Sequence, residues 1–266
     1  MKLSRSNAFG LEKMYFDCID EYGNCFILYW ATLEICYLKF NYSGLLFSDS
    51  NNATVEDYSF ERTPKPLKNQ ILSVDWSVLN IEESWERIDD PIVFSLYKDT
   101  KNRELIWDCH HPKVLAEIKY KGKTFKGYGY TETLFLSIKP WKLPFERLRW
   151  GRFLSEHCTI IWIRWEGTNP LNRLWYNGKE YNDGIFFENR VEFNKGYFVL
   201  SFQTSSTLRN TEISNVLPKL HILRVMLNKC LLNGKESKYK AKTAFSEDGK
   251  FIEDGWSLFE TVTWKR

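Results

Sequence analysis

The 266-residue sequence contains no CxxC pair, no HExxH, no P-loop, no GxSxG elbow and no kinase signature. Those absences remove the usual marks of structural zinc, zinc hydrolysis, nucleotide binding, serine hydrolysis and phosphoryl transfer. The glycine-rich run Gly127 to Tyr130 (GYGY) enters a strand pattern rather than a helix N-terminus, so it is not a phosphate loop; its glycines fit close backbone packing or a bend. No long apolar run is present either. The stretch from Cys25 to Ala31 is short and is followed by Glu34, which excludes a membrane-spanning helix there. The first 24 residues have no apolar core ahead of acidic residues, as a secretory signal would need. Charge of one sign is also scarce, with a formal net charge of +3 and no Lys/Arg-rich helix, which argues against a nucleic-acid partner. The one mildly basic run, Lys235 to Lys242 (KESKYKAK), alternates like a solvent-facing strand edge. Membrane contact has no other support.

Aromatic residues are plentiful: 11 Trp, 14 Tyr and 19 Phe make up 17% of the chain. Such residues favour strands, and an excess of them also suits a cavity for a large apolar ligand. The six cysteines (Cys18, Cys25, Cys36, Cys109, Cys158 and Cys230) have neither metal-site nor disulfide-scaffold spacing, which points to reduced thiols in a cytoplasmic protein.

The pattern is one of short strands and turns. Met14 to Asp20 and Asn24 to Phe40 read as a hairpin around Glu21, Tyr22 and Gly23. Ser48 to Thr54 and the prolines of Thr63 to Pro66 are breaks. Gln70 to Leu79 and Ile92 to Tyr97 read as strands, with Glu82 to Pro91 as a charged connection. Glu104 to His111, Val114 to Tyr120 and Tyr128 to Ile138 follow as strands. Pro140 to Phe153, rich in Pro and Trp, reads as a connector. Strands are then expected at Thr159 to Trp165, Leu174 to Tyr176, Gly184 to Phe193 and Tyr197 to Thr204; Leu217 to Leu232 is strand or short helix, and the end holds two hairpin-like pairs. The predicted class is therefore all-β, of barrel or sandwich architecture, with Pro140 to Phe153 as the best candidate for a crossing between two halves, residues 1–139 and 154–266. No repeat is apparent by residue identity, and the oligomeric state is unreadable.

Two strands carry the same oddity. Tyr128, Tyr130, Leu134, Leu136 and Ile138 share one face, with Glu132 among them; Trp256, Leu258, Val262 and Trp264 share another, with Glu260 among them. Burying an ionised carboxylate costs several kcal/mol unless it is paired or protonated. Each glutamate is thus either held by a buried hydrogen bond or salt bridge or kept as an acid for chemistry, and two such carboxylates could divide acid and base roles if their environments pushed their pKa values apart. Arg164, beside Trp162 on one face of Thr159 to Glu166, is a possible cationic partner for Glu132 or Glu260. Cys109, His110 and His111 with His157 and Cys158 invite a metal reading, but adjacent strand residues diverge, and no metal site is expected.

At this point the motifs resemble a family. GYGYTE, PWKLP and LRWGRF, with IWDCHHP upstream and WIRWEG downstream, look like the lipocalin-like carotenoid hydratases (hydroxyneurosporene synthases) and their AttH-like relatives. The resemblance covers Trp107 to Gly167. It implies two lipocalin-like barrels and a large apolar, isoprenoid-like substrate, with neither organic cofactor nor metal. Family members have Gly-x-Gly-Tyr-x-Asp followed by a polar run; here Gly127, Gly129 and Tyr130 match, Glu132 stands for the aspartate, and Leu134 to Leu136 replaces the polar run. The resemblance implies carbon protonation by Glu132, oriented by Tyr130, for hydration, isomerisation or cyclisation. Trp107, matching an upstream family tryptophan, and Trp162 would stabilise a cation, and Tyr128, His111 and Arg164 complete the expected substrate contacts. The alternatives are a carrier of an apolar ligand, or an interaction module with a filled barrel.

Overall fold

The computed structural model describes residues 9–35, 37–67, 69, 71–72, 76–216 and 229–264. The chain is nearly all β and divides into two compact units between Leu143 and Pro144.

In the first unit the strands are β1 (Phe9–Asp20), β2 (Cys25–Ile35), β3 (Leu38–Ser48), β4 (Thr54–Ser59), β5 (Ile71–Leu72), β6 (Ile81–Arg87), β7 (Ile92–Lys98), β8 (Glu104–Tyr120) and β9 (Lys123–Leu136). They form one antiparallel sheet in the order β4-β3-β2-β1-β9-β8-β6-β5, with β7 also paired to β8. Three strands lie between β3 and β8, so a flat sheet would put them roughly 19 Å apart at ~4.8 Å per strand. The Phe47 and Tyr120 rings of these strands have centroids 5.5 Å apart. The sheet is therefore strongly curled, and its concave side is filled by a core that includes Phe16, Phe26, Trp30, Trp76, Trp85 and Tyr120.

Several expectations are corrected here. The hydrophobic run after Asn24 is not one strand: Tyr37, in a left-handed conformation (φ 68°), turns it into the β2–β3 hairpin. Glu82 to Pro91 is not a connection, since Ile81–Arg87 is a strand with Ile81, Glu83 and Trp85 buried and the intervening Glu82, Ser84 and Glu86 exposed. Alternating glutamates on the wet face hid its period. Glu83 tolerates burial because Trp76 Nε1 donates to its Oε1 at 3.0 Å. Ser77–Leu79, read as strand, is a 3-10 turn; residues 73–75 lie outside the described residues. Glu104 to His111 and Val114 to Tyr120 are one strand, whose register slips on either side of His111. The slip accommodates Pro112, which a regular interior ladder would reject.

In the second unit the strands are β10 (Arg147–Leu154), β11 (Thr159–Glu166), β12 (Leu171–Tyr176), β13 (Lys179–Tyr181), β14 (Ile185–Phe186), β15 (Arg190–Phe193), β16 (Phe198–Glu212), β17 (Lys235–Glu247) and β18 (Lys250–Thr263). Their order is β13-β12-β11-β10-β18-β17-β16-β15-β14. Contact between Tyr176 of β12 and Phe198 of β16, 5.1 Å between centroids, again requires a curled sheet. Its concave core includes Phe153, Ile160, Trp162, Phe193, Phe198 and Phe245. The β12–β13 turn is the expected Asn177-Gly178, both at positive φ.

Two further corrections belong to this unit. Arg147 to Phe153, placed in a connector, is a central strand; the Pro/Trp-rich element itself is the short 3-10 turn Pro140–Lys142. Lys235 to Lys242 is not an edge but lies between β16 and β18, and Lys238 and Lys240 are each only 3% exposed. Of the ambiguous Leu217 to Leu232, residues 217–228 lie outside the described residues, and Lys229–Leu232 is helical.

The two units repeat one plan: the first strand pairs with both the second and the last. The closing strands carry matching hexads, GYGYTE at 127–132 and GWSLFE at 255–260. A Cβ on Gly127 would sit 2.1 Å from the Ile19 carbonyl oxygen, and one on Gly255 2.3 Å from that of Leu154. Glycine at the head of each hexad lets the closing strand press against the opening one.

Candidate active site

Glu132 lies opposite Tyr15 across the β1–β9 pair. The core-facing residues of β1, Met14, Phe16 and Cys18, pair with Thr133, Thr131 and Gly129. Tyr130 and Glu132 therefore point to the other, convex face of the sheet, away from the packed interior. The bulged β8 delivers Trp107 and Cys109 to the same face, because Trp107 pairs with Leu134.

Three side chains interlock there. The Tyr130 hydroxyl donates to Glu132 Oε2 at 2.5 Å, and Trp107 Nε1 donates both to that same oxygen and to the Tyr130 oxygen at 3.1 Å. Tyr130 and Trp107 are fully buried, while Glu132 keeps partial access. Burial pushes the Glu132 carboxyl above its ordinary pKa; the Tyr130 and Trp107 hydrogen bonds and the charge of Lys13 oppose that shift without cancelling it, and Asp17 reinforces it. Burial also drives the Tyr130 phenol and the Cys109 thiol, which are hydrogen-bonded to each other, well above their ordinary ranges. Both stay protonated, so the phenol is a fixed donor. Tyr15 packs edge-on against Tyr130 at 6.1 Å and Tyr29 at 5.5 Å, and Lys13 Nζ sits 5.0 Å above the Tyr29 ring. An aromatic wall thus adjoins the carboxyl.

With both donors on Oε2, a proton on Glu132 resides on Oε1. The carboxyl is held in one orientation with Oε1 turned from its supports, and burial favours its protonated form. That arrangement suits proton donation to a weak base in apolar surroundings.

The other expected site residues are distributed differently. Tyr128 is on the Glu132 face, with Lys113 Nζ 4.8 Å over its ring. His111 is on the opposite face, buried, with Nδ1 2.8 Å from Thr131 Oγ1 and Nε2 donating to the Asn69 carbonyl at 2.9 Å. Trp162, Arg164 and Glu260 belong to the second unit. Trp162 is in its core. Arg164 pairs with Glu166 at 3.5 Å and lies over the Phe186 ring. Glu260 is ion-paired with Lys238, which also holds Glu236 at 2.9 Å. Among the described residues no group of three or more potential ligands is placed to hold a metal ion, and no helix is long and apolar enough to cross a membrane.

Cys109, Asp17, Tyr15 and Lys13 were absent from the sequence-based site. Lys13, Tyr15 and Asp17 alternate along β1, so the pairing of β1 with the GYGYTE strand was the missing signal.

No family model matches the chain, and no curated protein matches its sequence. Solved structures do match in fold. Kievitone hydratase from Nectria haematococca is similar with a TM-score of 0.56 at 10% identity, over 96% of this chain and 89% of that one. CghA, crystallised with Sch210972, gives 0.55 at 8% identity over 96% and 88%. A protein described as an AttH (NE1406) from Nitrosomonas europaea gives 0.53 at 8% identity over 99% and 95%. The chain therefore shares the AttH-like, lipocalin-like fold along nearly its whole length.

Proposed function

We propose that this protein is an enzyme that protonates a carbon–carbon double bond of a large apolar substrate, with Glu132 as the acid. The observation that carries the reading is the convergence of Tyr130 and Trp107 on Glu132 Oε2, which leaves Oε1 to carry the proton that burial favours. In the first step the Oε1–H bond breaks, its proton adds to one alkene carbon, and a carbocation forms at the other as Glu132 becomes a carboxylate. Tyr130 and Trp107 then donate to a charged acceptor, and such bonds are roughly twice as strong as neutral ones. The aromatic faces of Tyr15 and Tyr29 supply electron density to a nearby cation. Addition of water, with its proton returned to Glu132, gives hydration; loss of a neighbouring proton to the Glu132 carboxylate gives isomerisation; attack by a second alkene, followed by loss of a proton from the new cation to Glu132, gives cyclisation. One relative in fold is named a hydratase, which supports the reading by analogy. Chemistry of the carotenoid hydratase type, on an isoprenoid, is the form that the GYGYTE motif favours.

The test is hydrogen exchange. Incubated in D2O with acyclic isoprenoid alkenes, the native protein is expected to incorporate deuterium at carbon. Glu132→Gln, which preserves an oxygen to accept from Tyr130, should slow incorporation ~10²- to 10⁴-fold at an unchanged melting temperature. Equal incorporation by both proteins removes Glu132 from the role.

A further inference from the structure

The concave side of the second unit is not filled to its mouth. A cavity of about 450 Å³ opens there, lined by Trp162, Phe202, Tyr239 and Phe259 on one side and by Arg147 and Arg149 at its rim. We propose that this cavity binds a small molecule with a planar aromatic body and one anionic head group. The site is built from second-unit residues, and the proposal does not depend on the reaction proposed for Glu132.

The body of the ligand is argued from ring geometry. Phe202 and Phe259 are stacked at 4.5 Å with planes 11° apart, and Tyr239 continues the stack on Phe259 at 5.2 Å and 23°. Trp162 lies 6.3 Å from Phe202. Rings this close to parallel present flat faces, which receive a flat ligand by offset stacking. The Trp162 ring reaches this position because its neighbour across the pair is Gly151, where a Cβ would sit 2.2 Å from the indole. The volume is within the range of small-ligand pockets.

The head group is argued from charge. Arg147, Arg149 and Arg164 share one carboxylate, Glu166, at 3.4, 3.7 and 3.5 Å. Arg149 also donates to the Phe186 carbonyl at 2.9 Å, and Arg164 lies 5.5 Å over the Phe186 ring, which fixes both guanidiniums beside the opening. Two further acidic residues line the cavity: Glu188, exposed on the lip, and Glu260, whose charge is met by Lys238. The rim keeps a positive excess that an anion would neutralise, and guanidiniums match a carboxylate or sulfonate geometrically.

Two fluorescent probes test this: anilinonaphthalene sulfonate, a flat aromatic with one anionic group, and its uncharged analogue, phenylnaphthylamine. Saturable one-to-one binding of the sulfonate to the full chain is expected, with the neutral probe weaker. Arg147→Gln, a partly exposed surface change, should weaken the sulfonate about tenfold, and Arg147→Glu more, with the neutral probe unaffected. Ser237→Trp, which fills the cavity from β17, should abolish binding of both while the thermal midpoint holds. The proposal is overturned if the sulfonate fails to saturate, if the Arg147 variants bind both probes like the native chain, or if Ser237→Trp leaves binding intact.

Discussion

Glu132 and Glu260 hold the same place in their two sheets. Each ends a hexad headed by a glycine pressed on a carbonyl of the opening strand, and each faces an aromatic residue of that strand, Tyr15 and Trp150 respectively. Their partners differ in kind: Glu132 meets the neutral donors Tyr130 and Trp107, whereas Glu260 meets the ammonium of Lys238. An adjacent ammonium favours the carboxylate, while neutral donors in a dry site leave burial to favour the acid. One scaffold position thus carries a hydrogen-bonded carboxyl of raised pKa in the first unit and an ion pair in the second.

The Glu132 environment sets a pH dependence. Its folded-state pKa lies above the ordinary carboxylate value, so the stability it contributes is fully present below that ordinary value and is lost as pH rises through the raised one. The gap in urea midpoint between the native protein and Glu132→Gln should move against the native protein across that window. Trp107→Phe removes a donor that favours the carboxylate, so the window should shift to higher pH, by an amount equivalent to roughly 1.5–3 kcal/mol. A shift to lower pH would contradict the hydrogen-bond assignment.

Lys238 is expected to be a costly residue to lose. It is buried between Glu236 and Glu260, and Arg209 also reaches Glu236 at 3.4 Å. Lys238→Met keeps the volume but strands Glu260 without its cation, which should cost about 3–5 kcal/mol in urea unfolding. Lys238→Met combined with Glu260→Gln removes the orphaned charge and should recover most of that loss. Additive losses would show that the pair is not coupled.

The all-β class and several of its turns were legible because turns and alternation are local, whereas the expected short strands are in several cases segments of strands of 12 to 17 residues. Asn177-Gly178, Thr63 to Pro66 and the β1–β2 turn are written in single residues. What was not legible is pairing. The run KESKYKAK looks like a wet edge until Glu236 and Glu260 neutralise Lys238, and Glu260 lies on another strand. Glu82 to Arg87 looks like a connection because three of its polar residues face water. Glu132 and Tyr130 were readable as a pair two positions apart on one face. Trp107 entered only through resemblance, and Tyr15 and Asp17 not at all, since these meet the site by register across β8–β9 and β1–β9.

The repeated glycines make the last prediction. Neither Gly127 nor Gly255 is needed for a positive φ, as both lie in extended strands; each is needed because the opposing carbonyl occupies the space of a Cβ. Both contacts are with backbone, so relief requires the closing strand to move away from the opening one. Gly255→Ala and Gly127→Ala should each cost about 1–3 kcal/mol as overpacking. Their functional effects should differ. Gly127→Ala displaces β9 and with it Tyr130 and Glu132, so proton transfer should fall more than stability requires. Gly255→Ala shifts β18, where Phe259 lines the aromatic cavity, and should weaken anilinonaphthalene sulfonate while leaving deuterium incorporation at the native rate.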